Sequence, residues 1–203
     1  MESMIAQLGG FALDFIGKAG YLGIFILSAL ESAAIPIPSE VVVPFSGFLA
    51  VTGRFNIWIV ILVATIANLI GSIILFWIGK SGGRWILERY GKYVLIHKYD
   101  LERGDEWFAK HGNKAVFWSR MLPVVRTFIS LPAGVSGMNF YRFSLYTFLG
   151  SLPWNAALAI IGYKTGENWR VLETYFRKFD VLIVVLIIIL IIVYLWKHLR
   201  KRQ

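Results

Sequence analysis

Two acidic and two cationic side chains stand in segments that are otherwise apolar. Glu31 follows the apolar run Tyr21 to Leu30, and Glu40 precedes Val41 to Val51. Arg120 and Arg126 interrupt a second such region, Ala115 to Gly137. At the centre of a bilayer each charge costs about 2.5–3.5 kcal/mol, and four together on the order of 10 kcal/mol, comparable with a whole folding stability. Such groups must be paired, hydrated or neutralised. A carboxylate can neutralise by taking up a proton, whereas a guanidinium stays charged. The arginine fork presents parallel donors to two oxygens, a fit for carboxylate or phosphate. The chemistry on offer is proton uptake at Glu31 or Glu40 and anion binding at Arg120 and Arg126. A plainer use stays open, in which glutamates and arginines pair only to hold helices together.

The elements that must position these residues are membrane helices. Of 203 residues, 57% are hydrophobic and 16% charged, against about 25% charged in soluble domains. Ile57 to Ile78, Phe143 to Tyr163 and Val181 to Trp196 carry no charge, and a span needs roughly 17–25 apolar residues. The last run is short, and flanking lysines and arginines can snorkel to accommodate it. The net charge of +9 gathers beside the ends of these runs, which is a topology signal rather than a nucleic-acid footprint. Lys80, Arg84, Arg89, Lys92, Lys98, Arg103, Lys110 and Lys114 fill one connector, and a second basic cluster ends the chain. Two spans separate them, so both face one side, and the positive-inside rule makes it the cytoplasm. Trp85, Tyr90, Tyr93, Trp107 and Phe108 in the basic segment suit helices lying on the membrane surface; a solvated loop is the alternative.

The two charged regions read as broken helices. The halves Tyr21–Leu30 and Val41–Val51 would each span about 15 Å, half the hydrocarbon thickness. Pro36 and Pro38 remove backbone donors between them and disfavour helix at the preceding residues. The spacing predicts a re-entrant hairpin over about 21–52 and a second over about 114–137, broken near Pro123. Backbone broken at membrane depth is tolerated only inside protein or against a water-filled cavity. Each hairpin precedes a span, and the spans end alike: Ile78-Gly79-Lys80-Ser81-Gly82 against Ile161-Gly162-Tyr163-Lys164-Thr165-Gly166. Gly53 and Gly137 also correspond. These features predict an all-α integral membrane protein, residues 1–203 as one domain. It comprises a first repeat over 10–83, an interfacial segment over 84–113, a second repeat over 114–169 and a C-terminal span over 178–197. One span per repeat makes the repeat inverted, with a site near mid-membrane. Two unrelated helices stopped by glycine would end in the same way.

Other chemistry is poorly provided for. Gly79-Lys80-Ser81 lacks the upstream glycine of a phosphate-binding loop, Ile74 standing there. His97, His111 and His198 are scattered through basic segments, and cysteine is absent, so no metal site and no cofactor are expected. No nucleophile–base pair is recognisable, and an enzyme is not expected.

The motifs resemble a known family. Glu31-x-x-x-x-Pro36-x-Pro38-Ser39-Glu40 is similar to the first signature of the DedA family, also called SNARE-associated or VTT-domain proteins. Phe117-x-x-Arg120-x-x-Pro123-x-x-Arg126, continuing to Ala133-Gly134 and Met138, resembles the second. Gly71 to Gly79 and Trp154 to Trp169 fit the connecting motifs, and the resemblance covers roughly 10–200. Ser72 stands where many members have Asp, and Lys80 where many have Arg, so a proton-relay role for that Asp does not carry over. The resemblance implies a bacterial cytoplasmic-membrane, multi-pass lipid transporter, moving undecaprenyl phosphate or a phospholipid such as phosphatidylethanolamine between leaflets. Its important acidic and arginine residues map onto Glu31, Glu40, Arg120 and Arg126. In that setting Arg120 and Arg126 would hold the lipid phosphate. Ser39 would cap the second half-helix and add its positive end to phosphate binding, and Glu31 or Glu40 would carry the coupled proton. The partners expected are a membrane lipid and protons, with no nucleic acid. A membrane scaffold and a lipid-phosphate enzyme are the competing classes.

Overall fold

The computed structural model describes residues 13–35, 37, 39–83, 85, 98–122 and 125–165, all within the compact unit Met1–Gly166. Pro36, Pro38, Pro123, residues 84 and 86–97 of the segment 84–113, and the span expected at 178–197 lie outside the described residues. Among those described, all regular structure is helical. The order is α1 (13–19), α2 (Tyr21–Ser32), α3 (Ser39–Val51), α4 (Ile57–Ile78) with a π-helical end Gly79–Gly83, α5 (Lys98–Ser119), α6 (Val125–Phe128), α7 (Ser130–Val135) and α8 (Phe140–Thr165).

Helices α4 and α8, with 22 and 26 residues, are long and apolar enough to cross a membrane. Their polarity runs inside out. On α4 the buried face includes Thr65, Asn68 and Ser72, while Trp58, Ile59, Leu62, Ile66, Ile70, Ile74 and Trp77 are exposed. On α8 the buried face carries Thr147, Ser151 and Asn155, and Leu145, Leu149, Ile160 and Ile161 face outward. Water would penalise that arrangement and lipid favours it.

Each span begins the same way. A glycine in the left-handed region turns the chain, Gly53 at φ +77° and Gly137 at φ +66°, and an asparagine caps the helix. Asn56 Oδ1 accepts from the backbone N–H of Trp58 at 2.9 Å and of Ile59 at 3.4 Å. Asn139 Oδ1 accepts from Arg142 N–H at 3.2 Å.

The shorter helices pack on the spans in a regular scheme: α2 on α4, α3 on α8, α5 on α8 and α7 on α4. Small residues let backbones meet, as membrane interfaces require in the absence of a hydrophobic drive between helices. A Cβ on Gly71 would meet the carbonyl of Ala29, and one on Gly150 that of Phe117. The other two seams are reciprocal. Gly47 abuts the carbonyl of Ala159 while Gly162 abuts that of Pro44; Gly134 abuts the carbonyl of Phe76 while Gly79 abuts that of Leu131. In each reciprocal seam the glycine and the carbonyl residue on the same stretch of chain are three residues apart: Pro44 and Gly47, Ala159 and Gly162, Phe76 and Gly79, Leu131 and Gly134.

Two differences from the sequence expectation concern the second broken region. A single helix, α5, runs from the basic segment through 113–114 to Ser119, since an isolated glycine such as Gly112 costs a helix only about 1 kcal/mol and does not remove a ladder bond. The far arm is short and split into α6 and α7. Phe76, Val116, Ala133 and Phe143 form the core here, with the Phe76 and Phe143 rings stacked at 4.5 Å.

Candidate functional site

Helix α2 stops just beyond Glu31. Ala34 takes φ +68°, and Ile35 N–H reaches back to the Leu30 carbonyl at 3.0 Å, the bond that closes a Schellman-type helix end. An alanine in the left-handed region is uncommon and costs free energy. The arrest leaves the Glu31 carboxylate buried beside α4 rather than continued along a helix surface.

Arg126, on α6, reaches that carboxylate. Its Nη2 donates to Glu31 Oε1 at 2.6 Å, both side chains being almost wholly buried. Thr127 Oγ1 donates to the same oxygen at 3.4 Å. The other carboxylate oxygen accepts from Asn68 Nδ2 at 3.2 Å and Ser32 Oγ at 3.4 Å. Asn68 is held in turn, donating to Ser32 Oγ at 2.6 Å and accepting from Asn155 Nδ2 at 3.1 Å. Asn155 Nδ2 also donates to Thr65 Oγ1 at 3.2 Å. An amide chain thus links Glu31 to both spans.

Arg120, just past the end of α5, is used differently. Its Nη1 donates to Ser72 Oγ at 2.9 Å and to the Arg126 carbonyl at 2.5 Å. Its Nη2 donates to Ser130 Oγ at 3.0 Å and Thr147 Oγ1 at 3.1 Å. Four neutral oxygens from α4, α6, α7 and α8 solvate this buried cation, and no carboxylate pairs with it among the described residues. The Phe143 ring lies 5.7 Å from its Cζ, a cation–π distance. Only a planar fork with several donors could serve four acceptors at once.

The candidate residues therefore divide. Glu31 and Arg126 form an ion pair, and Arg120 is joined to it through the Arg126 backbone. Glu40 is buried in the first turn of α3 and makes no hydrogen bond among the described residues. Ser39 opens α3; its side chain, with Pro36, Pro38 and Pro123, lies outside the described residues. Sequence reading missed Asn68, Asn155, Ser130, Thr147 and Trp154. The available signal was two asparagines inside uncharged spans, where a lone amide is costly unless bonded. Trp154 contributes its ring, 5.7 Å from the Arg126 Cζ. No group of three or more metal-ligating side chains occurs among the described residues.

With this geometry in hand, similarity to known proteins is informative. Residues 37–164 match the VTT domain. The chain is 35% identical over 189 residues to undecaprenyl phosphate transporter A of Bacillus subtilis, covering 91% of each protein. It is 38% identical over 191 residues to the uncharacterized membrane protein YkoX of the same organism, covering 94% of this chain and 85% of YkoX. A relative from Lactococcus lactis subsp. lactis, 32% identical over 85% of this chain and 83% of its own length, is named alkaline phosphatase-like protein. No solved structure matches. The chain belongs to the DedA family of VTT-domain membrane proteins.

Proposed function

We propose that this protein is a lipid transporter that moves a phosphate-bearing lipid, undecaprenyl phosphate by analogy with its named relatives, between the leaflets of a bacterial cytoplasmic membrane. The observation that carries this reading is the buried Arg126–Glu31 pair at 2.6 Å. Proton uptake by Glu31 dissolves the pair and frees a guanidinium fork for phosphate; release of the phosphate lets Glu31 lose the proton and pair again. Arg120 fixes the backbone from which Arg126 swings. Glu40, the second buried carboxylate, offers an alternative proton site. Carrying one negative charge inward against an inside-negative potential costs about 2.3 kcal/mol per 100 mV, and a co-transported proton cancels it.

The reciprocal glycine seams support an inverted repeat. The first arm of each hairpin rests on its own span, α2 on α4 and α5 on α8, and the second arm on the other repeat's span. Rocking at such crossed contacts would give alternating access to a midplane site. Lys80 Nζ, 5.1 Å from the Trp77 ring at the end of α4, suits a headgroup-level anchor on the cytoplasmic side.

The name of the Lactococcus relative favours a second reading, hydrolysis of a lipid phosphate. Proteoliposomes carrying a fluorescent polyprenyl phosphate, read by a leaflet-specific quencher and a phosphate assay, separate the two. Transfer of intact lipid supports the transporter, and released phosphate supports the enzyme.

A further inference from the structure

Two donors in the site are left out of the bonded network, Arg120 Nε and the Trp154 indole, and only the indole belongs to a side chain that makes no other hydrogen bond among the described residues. The Trp154 indole Nε1 is buried from solvent and has no hydrogen-bond partner among the described residues. Buried indole N–H groups usually find an acceptor, and leaving one unmade is unfavourable. Its position is held from two directions. The ring centre lies 5.7 Å from the Arg126 Cζ. The next residue, Asn155, is tied through Asn68 to the Glu31 carboxylate. Its Oδ1 is also buried without a partner. Pro153, immediately before, contributes no N–H to the helix, so α8 is locally relieved of one ladder bond at this point. An unused donor beside a buried cation is complementary to an anion with several acceptor oxygens. A phosphate monoester has such oxygens, and can offer a P–OH to the Asn155 acceptor when singly protonated.

We propose that the Trp154 indole N–H is a direct ligand of the substrate phosphate, sharing it with Arg126 once Arg126 leaves Glu31. This rests on the transport reading above and adds a residue to its binding site. The ligand class is a lipid phosphate monoester. Inorganic phosphate offers the same oxygens without the tail, and the lipid alcohol offers the tail without the oxygens.

The test uses the full chain in nanodiscs with ¹⁵N-labelled indoles. The Trp154 resonance is assigned by its disappearance in Trp154→Phe, or by elimination from Trp→Phe changes at the other tryptophans should that variant not fold. Farnesyl phosphate should move the Trp154 indole proton downfield, and farnesol should leave it in place. Inorganic phosphate should give the same shift only at far higher concentration if the tail contributes to binding. Trp154→Phe, which keeps the ring beneath Arg126, should weaken farnesyl phosphate about tenfold or more, the size of one hydrogen bond to a charged group, with the melting temperature retained. Saturating farnesyl phosphate that binds yet leaves the indole resonance unmoved overturns the Trp154 assignment alone. So does wild-type affinity in the phenylalanine variant. Absence of any farnesyl phosphate binding to the unaltered protein overturns the transport reading as well.

Discussion

Glu31 and Arg126 are 95 residues apart in the chain and 2.6 Å apart in space. Their contact ties the end of α2 to the short helix α6 and so joins the two broken regions. A buried ion pair of this kind is weak evidence for stability, because two desolvations offset much of its attraction. It is better suited to a switch, since a proton on the carboxylate or a competing anion on the guanidinium removes its attraction.

Removing one partner should hurt more than removing both. Arg126→Ala leaves Glu31 buried and unpaired, at an expected cost of about 3–5 kcal/mol. Combining Glu31→Gln with Arg126→Gln should recover most of that stability, measured as melting temperature in detergent, while transfer of a polyprenyl phosphate stays abolished. A double variant that transports as well as the unaltered protein would remove the pair from the mechanism.

Arg120 should tolerate no other cation. Lysine has a single nitrogen and cannot reach the four oxygens held by Nη1 and Nη2. Arg120→Lys should destabilise by about 2–3 kcal/mol, the loss of charge-assisted bonds to buried acceptors, with yield and melting temperature falling together. Retained stability with lost transfer would instead place Arg120 on the phosphate itself.

The glycine seams should be intolerant of size. Gly162→Leu or Gly134→Leu drives a side chain into a backbone carbonyl, that of Pro44 or of Phe76, which cannot yield as a flexible side chain would. Loss of folded protein is expected for both. Gly104→Ala in α5, where a Cβ meets nothing within 4 Å, should be neutral or stabilising by up to about 1 kcal/mol. Equal expression of all three variants would rule out close packing at the seams.

Asn155 tests how far the amide chain sets the glutamate. Asn155→Ala removes the bonds to Asn68 and Thr65. Hydrogen bonds between membrane helices average about 0.6 kcal/mol, so a loss of about 1 kcal/mol is expected, well below that for Arg126→Ala. The pH midpoint of transfer should move, because Asn68 would lose one of the bonds that hold it against Glu31. An unmoved midpoint would limit Asn155 to packing.

Much of the architecture was legible in the chain because its causes are local. Uncharged runs of span length marked α4 and α8, and apolar runs of half that length with charges at their ends marked α2 and α3. The likeness of Gly79 and Gly162 reflects a shared packing duty, since each takes a carbonyl from the opposite region. The division of labour between the arginines was not legible. Arg120 and Arg126 are the same residue type in the same apolar surroundings, and what separates them is which acceptors arrive from α2, α4, α7 and α8. Those partners lie 10 to 95 residues away. Asn68 and Asn155 were hidden for the same reason, because the bond that makes each affordable is tertiary.

The exchange of Arg126 between Glu31 and phosphate is tested most directly by proton uptake on binding. At pH 8 a phosphate monoester, with a second pKa of about 6, is already ionised. Adding it to the purified protein in weakly buffered solution with a pH indicator dye should draw one proton per bound lipid, as Glu31 is neutralised. Glu31→Gln should bind the same lipid and draw none. Binding without uptake in the unaltered protein, or equal uptake in both, would contradict the exchange.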